Sequence, residues 1–174
     1  MYQAQLESER FILRPFRHTD EEGLFALDSD PEVMKYLGGV QVQHREDIRN
    51  QIQHVHNQYA EYGIGRLVIT DKKTGDFIGW AGLRYERDIR PDQPYYDVGY
   101  RILRKYWGQG IATETARESI RHGLEDLGLS ALHACADVNH VVSNHVLQKV
   151  GMQWVEQFVY DEIQHNWYVI SNAV

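Results

Sequence analysis

The chain is 174 residues long, enough for one well-packed core and short for two domains. Its net charge of −7 argues against binding nucleic acid over a basic face, and no apolar run approaches the ~18 residues of a membrane span. A lone cysteine, Cys135, leaves no internal disulfide; with an opening stretch that lacks a basic-then-apolar leader pattern, it sets the expectation of a cytoplasmic protein.

In chain order, RFILRPF predicts a first strand, stopped by Pro15. Thr19 or Asp20 can cap a short helix carrying Leu24, Phe25 and Leu27. DPEVMKYLGG predicts a second short helix, opened by Pro31 and ended by Gly38. Ile48, Ile52, Val55, Tyr59 and Tyr62 recur at spacings of four, three, four and three, and Gly63 follows, so HREDIRNQIQHVHNQYAEYG predicts an amphipathic helix with a glycine stop. RLVIT and FIGWAGLRY, joined by DKKTGD, predict an antiparallel hairpin. ERDIRPDQPY is a loop and YDVGYRIL another strand. Ala112, Ala116, Ile120, Leu124 and Leu127 mark a helix face that ends at Gly128. LHACADV predicts a strand, SNHVLQKVG a short helix, and QWVEQFVY with NWYVIS a closing pair of strands. This order implies an α+β domain spanning 1–174, with a mixed, mainly antiparallel sheet flanked by helices and a central βαβ unit.

Within that unit, Gly108-Gln109-Gly110 lies between a strand and a helix. Free backbone N–H groups and the helix dipole, equivalent to roughly +0.5 charge, make such a start a seat for phosphate. The simpler alternative is a tight strand-to-helix turn. GQGIAT lacks the Lys-Ser/Thr of an ATPase loop and the third glycine of a dinucleotide fingerprint.

Three spaced stretches, ERFILRPF, GYRILRKYWGQGIATETA and NHVVSNHVLQKVGM, resemble the GNAT superfamily of acyl-CoA-dependent N-acetyltransferases, and within it the RimJ/RimL type that acetylates ribosomal-protein N-termini. The family's pyrophosphate loop, Gln/Arg-x-x-Gly-x-Gly/Ala, corresponds to Lys105-Tyr106-Trp107-Gly108-Gln109-Gly110. Lysine in its first place is a departure that a backbone-binding loop tolerates. The resemblance implies acetyl-CoA as donor, its pyrophosphate on the N–H groups of Gly108, Gln109, Gly110, Ile111, Ala112 and Thr113. Arg104 and Lys105 would be the nearby cations, or else solvated surface charge. It further implies that the pantetheine arm enters between the family's fourth and fifth strands, bonding along Ile102 and Leu103, with the thioester carbonyl polarised by a backbone N–H near Ile102.

Asp97 stands where several members carry a catalytic glutamate, one methylene longer, and Glu86 is the alternative base; either can equally be a strand-end charge. Ser143 matches a serine that in this branch lies near the sulfur, where the departing thiolate needs a proton, and it can also cap a helix. Asn139 and Asn144 match positions that bond the pantetheine amides, although Asn139 can instead close a turn. No metal is expected: His54 and His56 point to different helix faces, and His133 with Cys135 offers two ligands without a third. Tyr85, Tyr95 and Tyr96 flank the proline loop, where they either line the acceptor entrance or pack in the core.

Attack on a thioester needs a neutral amine. At pH 7 about one lysine side chain in 2,500 is neutral, against about one α-amine in seven, a difference of roughly 3.5 kcal/mol. An N-terminal α-amine therefore asks less of the base. The leading expectation is acetyl transfer from acetyl-CoA to a primary amine, a protein N-terminus or a small molecule. The alternative is an acyl-CoA-binding sensor or scaffold without turnover. Neither nucleic acid nor membrane is expected as a partner, and a homodimer is left open.

Overall fold

The computed structural model describes residues 5–172. In chain order the elements are β1 (Leu6–Glu7), β2 (Phe11–Pro15), α1 (Glu21–Asp28), α2 (Pro31–Met34), α3 (Arg45–Tyr62), β3 (Arg66–Asp71), β4 (Phe77–Glu86) and β5 (Tyr95–Ile102). There follow α4 (Ile111–Arg121), β6 (Ala131–Asp137), α5 (Val141–Lys149), β7 (Gln153–Tyr160) and β8 (Ile163–Ser171). The eight strands form one sheet in the order β1-β2-β3-β4-β5-β6-β8-β7. Among the described residues only the β5–β6 pair is parallel, and α4 makes the crossover between them.

Local chemistry explains most boundaries. Gly63 ends α3 in the left-handed region at φ 68°, its N–H donating to the Tyr59 carbonyl. The β3–β4 turn is held by Asp71, whose Oδ1 accepts from the N–H groups of Lys73 at 2.7 Å and Thr74 at 3.0 Å.

Three features differ from the sequence-based expectation. The two-residue β1 pairs with β2 through Leu6 opposite Leu13 and is too short to show a period. The second helix stops at Met34 rather than near Gly38. The helix expected to run to Leu127 leaves α geometry after Arg121 and continues as a π turn over His122–Asp126. Gly123 lies in that turn, and a Cβ there would come within 2.9 Å of Leu83 and Leu132, so the turn packs its backbone directly on β4 and β6.

Two apolar clusters stabilise the domain. One joins Leu24 and Leu27 of α1 and Ile48 and Ile52 of α3 to Leu13, Val68 and Ile78 on β2–β4. The other joins Ala116 and Ile120 of α4 and Leu147 of α5 to Val98, Leu132 and Tyr168 on β5, β6 and β8.

One irregularity of the sheet positions everything that follows. β4 and β5 stay in register from Glu86–Tyr95 to Gly79–Ile102, whereas β5 and β6 meet at a single register position, Asp97 opposite His133. Beyond it β5 pairs only with β4, and β6 only with β8. The sheet is open between the C-terminal halves of its two central strands.

Candidate active site

Backbone groups at this opening are available to a ligand. The Leu103 N–H donates to the Ile78 carbonyl, toward β4, at 2.9 Å. Alternation along a strand therefore turns the N–H and C=O groups of Tyr100 and Ile102 toward the opening. The Ile102 carbonyl is taken by the Trp107 indole, which donates to it at 2.8 Å and ties the following loop to the strand end.

That loop carries Gly108 and Gly110, both at φ 74°, a conformation that side-chain-bearing residues rarely adopt. A Cβ at Gly108 would meet nothing within 4 Å, and one at Gly110 only the Arg10 guanidinium at 3.7 Å, so the space over the glycines is open to an oxyanion. Gly110 is the residue before α4 and supplies no capping side chain. The first-turn N–H groups of Ile111, Ala112 and Thr113 thus have no intrahelical acceptor. The residues of the loop fit a pyrophosphate on these grounds. Of the two cations, Arg104 reaches Asp30 with its Nε at 3.0 Å, and Lys105 lies over the Tyr106 ring.

A clasp from the start of the chain braces the loop. The Glu114 carboxylate accepts from the Ser8 hydroxyl at 2.7 Å, from the Arg10 N–H at 2.8 Å and from Arg10 Nε at 2.7 Å. Arg10 Nη2 also donates to the Gln109 carbonyl at 3.0 Å. Burial works against the charge on Glu114, yet these bonds together hold its carboxyl below the usual range.

On the far side of the opening stands α5. Ser143, in its first turn, lies with its Oγ 3.0 Å from the Tyr100 hydroxyl, which also donates to the Ser143 carbonyl at 3.1 Å. β5 and α5 are thereby bridged across the wedge. Burial raises the Tyr100 phenol well above its ordinary value, so it stays protonated. Asn144 Nδ2 donates to the carbonyls of Asp137 and His140, and its Oδ1 accepts from Asn166 and the Tyr168 hydroxyl, all within 2.8–2.9 Å. Its amide has no capacity left over. Asn139 is exposed, and its N–H and side-chain amide both donate to Asp137 Oδ1, closing the β6–α5 turn.

The two candidate bases are strongly engaged. Asp97 lies at the apex of the opening, buried, with its Oδ2 bound to Arg66 Nη2. Arg66 Nη1 donates to the carbonyls of Asp97 and Gly82. A Cβ at Gly99 would fall 2.5 Å from Arg66 Nη2, so the glycine at that strand position makes room for the guanidinium. Burial pulls the Arg66 pKa down, and the charge of Asp97 opposes that pull. Glu86 is further from the apex. Its Oε1 accepts from the N–H groups of Arg87, Asp88 and Ile89, and its Oε2 pairs with Arg84.

Cys135 lies on β6 in the same face of the sheet as Asp97, and burial, with Asp97 next, pushes its thiol up to about 12. Such a thiol holds almost no thiolate at neutral pH and makes a poor nucleophile. Among the described residues no three His, Cys, Asp or Glu side chains gather in a metal-binding group, and no helix is long and apolar enough to cross a membrane.

The structure thus brings the glycine loop, Ile102, Asp97 and Ser143 around one opening, while Asn139 and Glu86 bond within their own turns. Sequence reasoning missed Arg66, Tyr100 and the Arg10–Glu114 clasp. The one available signal was Gly82 and Gly99 inside strand patterns, where a glycine marks close approach of another group.

Known proteins agree with this architecture. The chain is 32% identical over 163 residues to an FsC-acetyl coenzyme A-N(2)-transacetylase of Aspergillus fumigatus, covering 90% of this chain and 68% of that one. Its fold is similar to a GNAT-family acetyltransferase of Bacillus anthracis, with a TM-score of 0.81, 22% identity and coverage of 97% and 98% of the two chains. It is also similar to the RimL ribosomal L7/L12 alpha-N-protein acetyltransferase in complex with coenzyme A, with a TM-score of 0.80, 16% identity and coverage of 97% and 98%. Residues 10–153 match the acetyltransferase (GNAT) domain, and the chain belongs to that family of acetyltransferases.

Proposed function

We propose that the protein transfers the acetyl group of acetyl-CoA directly to a primary amine, with protein N-terminal α-amines among the acceptors that its chemistry suits. The observation that carries this reading is the opening between β5 and β6, which runs from the glycine loop at one end to Asp97 and Ser143 at the other.

In this reading the pyrophosphate rests on the N–H groups from Gly108 to Thr113, and the pantetheine amides bond to the free edge of β5 at Tyr100 and Ile102. Asn144, whose bonds are all used within the protein, holds the wall of α5 in place rather than the donor. The amine nitrogen attacks the thioester carbon, whose oxygen is met by a β5 N–H at the opening. The N–C bond forms and the C–S bond breaks. The proton lost by nitrogen passes to Asp97 through water, and the departing thiolate takes one from the Ser143 hydroxyl, which is then reprotonated from solvent. Asp97, already paired with Arg66, suits an α-amine better than a lysine side chain, because about one α-amine in seven is already neutral at pH 7.

A steady-state assay of free CoA release against peptides, polyamines and amino sugars, with mass spectrometry of the product, tests the proposal. Acetylated product is expected; tight CoA binding without release of free CoA for any amine would favour an acyl-CoA sensor instead.

A further inference from the structure

Among the described residues five buried side-chain polar atoms meet no hydrogen-bond partner: Trp80 Nε1, Arg84 Nε, Tyr95 Oη, Arg101 Nε and His133 Nδ1. They are not scattered. Strand register places Arg84 beside Asp97 on β4 and His133 beside it on β6, and puts Trp80 opposite Arg101. Tyr95 precedes Asp97 by two positions on β5. With side chains alternating along each strand, all five lie on one face of the sheet, the face that carries Asp97. Three of them, Arg84, Tyr95 and His133, surround Asp97 at the apex of the opening. Native structures pair nearly all their buried polar groups, so such a cluster points to a missing partner.

Their chemistry says what the partner offers. The indole N–H and the two guanidinium Nε–H groups can only donate, and the Tyr95 phenol can donate as well; the His133 ring, whose N–H has the Tyr168 backbone as a partner, can accept at Nδ1 from a substrate amine. Tyr95 is buried, and its hydroxyl has the weakly bonding Cys135 thiol as a neighbour in place of an oxygen. What the cluster lacks is acceptor oxygen. Charge argues the same way. The carboxylates around Asp97 and Arg101 are already paired, Asp97 with Arg66, Glu86 with Arg84 and Asp28 with Arg101. A polyamine brings ammonium groups and no oxygen, and it would leave the donors unmet.

We infer that Arg84 and Tyr95, with His133 beside them, form an acceptor subsite that holds an oxygen of the amine substrate, a carbonyl or carboxylate carried close to the reacting nitrogen. The inference rests on the transferase reading above and narrows it to amines of the 2-aminoacyl type, whether free amino acids or peptide N-termini. Burial raises the Tyr95 phenol far above its ordinary value and lowers His133, so the pair presents a hydroxyl that stays protonated and a neutral imidazole.

The test compares phenylalaninamide, phenylalanine, phenethylamine and spermidine as acceptors, with kcat/KM expressed per neutral amine. The oxygen-bearing acceptors should exceed phenethylamine and spermidine by about tenfold or more. Phenylalaninamide ahead of phenylalanine identifies a peptide terminus, and the reverse order a free amino acid. Tyr95→Phe, which keeps the ring packing, should cut the phenylalaninamide-to-phenethylamine ratio at least tenfold through KM, and His133→Phe, which keeps the stack on Trp167, should reduce it as well. Spermidine or phenethylamine as the best acceptor, or a ratio unchanged in both variants, overturns the subsite. CoA release from none of the four would count against the transferase reading. The subsite is then judged by calorimetry on the CoA-saturated protein, where the same preference for oxygen-bearing amines supports it and tighter binding of spermidine overturns it.

Discussion

Arg66 and Asp97 meet in a buried ion pair at the apex of the β5–β6 opening, over the space that Gly99 leaves free. Removing one partner of such a pair strands the other charge. Asp97→Asn should therefore cost about 3–5 kcal/mol of stability. For a chain of this size that is a fall in Tm of roughly 6–20 °C. Its kcat should fall as well and recover partly between pH 7 and 9.5, as more amine becomes neutral without help. Unchanged Tm by calorimetry would show that the pair is not formed in solution.

The glycine loop can be tested with the smallest side chain. Alanine at Gly108 or Gly110 must adopt φ 74°, at roughly 1–2 kcal/mol each, while its methyl group enters the space assigned to phosphate oxygens. Each variant should stay folded, with Tm lowered by roughly 2–8 °C. CoA should bind at least tenfold more weakly by calorimetry. Normal affinity in both would place the pyrophosphate elsewhere.

Glu114 joins the N-terminal segment to the same loop through three accepted bonds. Glu114→Gln keeps the shape but loses the charge that Arg10 answers. The expected result is a several-fold higher Kd for CoA with little change in kcat at saturating donor. A lower kcat at unchanged Kd would assign Glu114 another role.

The hydroxyls of Ser143 and Tyr100 bond to one another across the opening. Ser143→Ala should lower kcat by ~10²-fold or more if its proton reaches the thiolate, and raising the pH should not restore it. Tyr100→Phe removes the bond that orients Ser143 and should have a smaller effect, visible in kcat rather than in CoA affinity. Equal loss of donor affinity in both variants would make this a binding contact.

Burial lowers the pKa of His140, and of His133 against a weaker opposing bond from the Tyr168 backbone. A folded-state value below the unfolded value of about 6.5 means that the neutral form stabilises the fold. That stability is present above about pH 6.5 and is lost as pH falls through the folded values. Tm should decline from pH 7 toward pH 5, and His140→Phe, which keeps the ring stacked on Tyr36, should flatten the decline. Imidazole resonances of both residues should titrate below 6.5 by NMR; midpoints above that value would reverse the sign.

Much of this molecule is legible from its sequence because the signals are local. Glycines with open space beside them punctuate a strand and a helix, the period of Ile48, Ile52, Val55 and Tyr59 marks the face that α3 buries, and the order of elements places one βαβ unit at the centre. Such features depend on neighbours a few residues away, so composition and spacing suffice to reveal them.

What each polar side chain does at the opening depends instead on the register of strands far apart in the chain. Arg66 and Asp97 are 31 residues apart and become partners only because Arg66 faces Gly82, and Gly82 faces Gly99. A slip of one residue in either ladder would turn the guanidinium to the other face. Glu86 and Asp97 look equivalent as strand-end carboxylates, yet one bonds back to its own loop and the other pairs with Arg66 at the apex. Asn144, which the sequence offers as a free amide, has every donor and acceptor used by β6, α5 and β8. Local pattern thus determined which elements form and where the glycine loop lies. The pairing of the sheet decided which charges are neutralised and which donors are left without a partner, because a hydrogen bond depends on distances of a few ångströms that no sequence spacing sets.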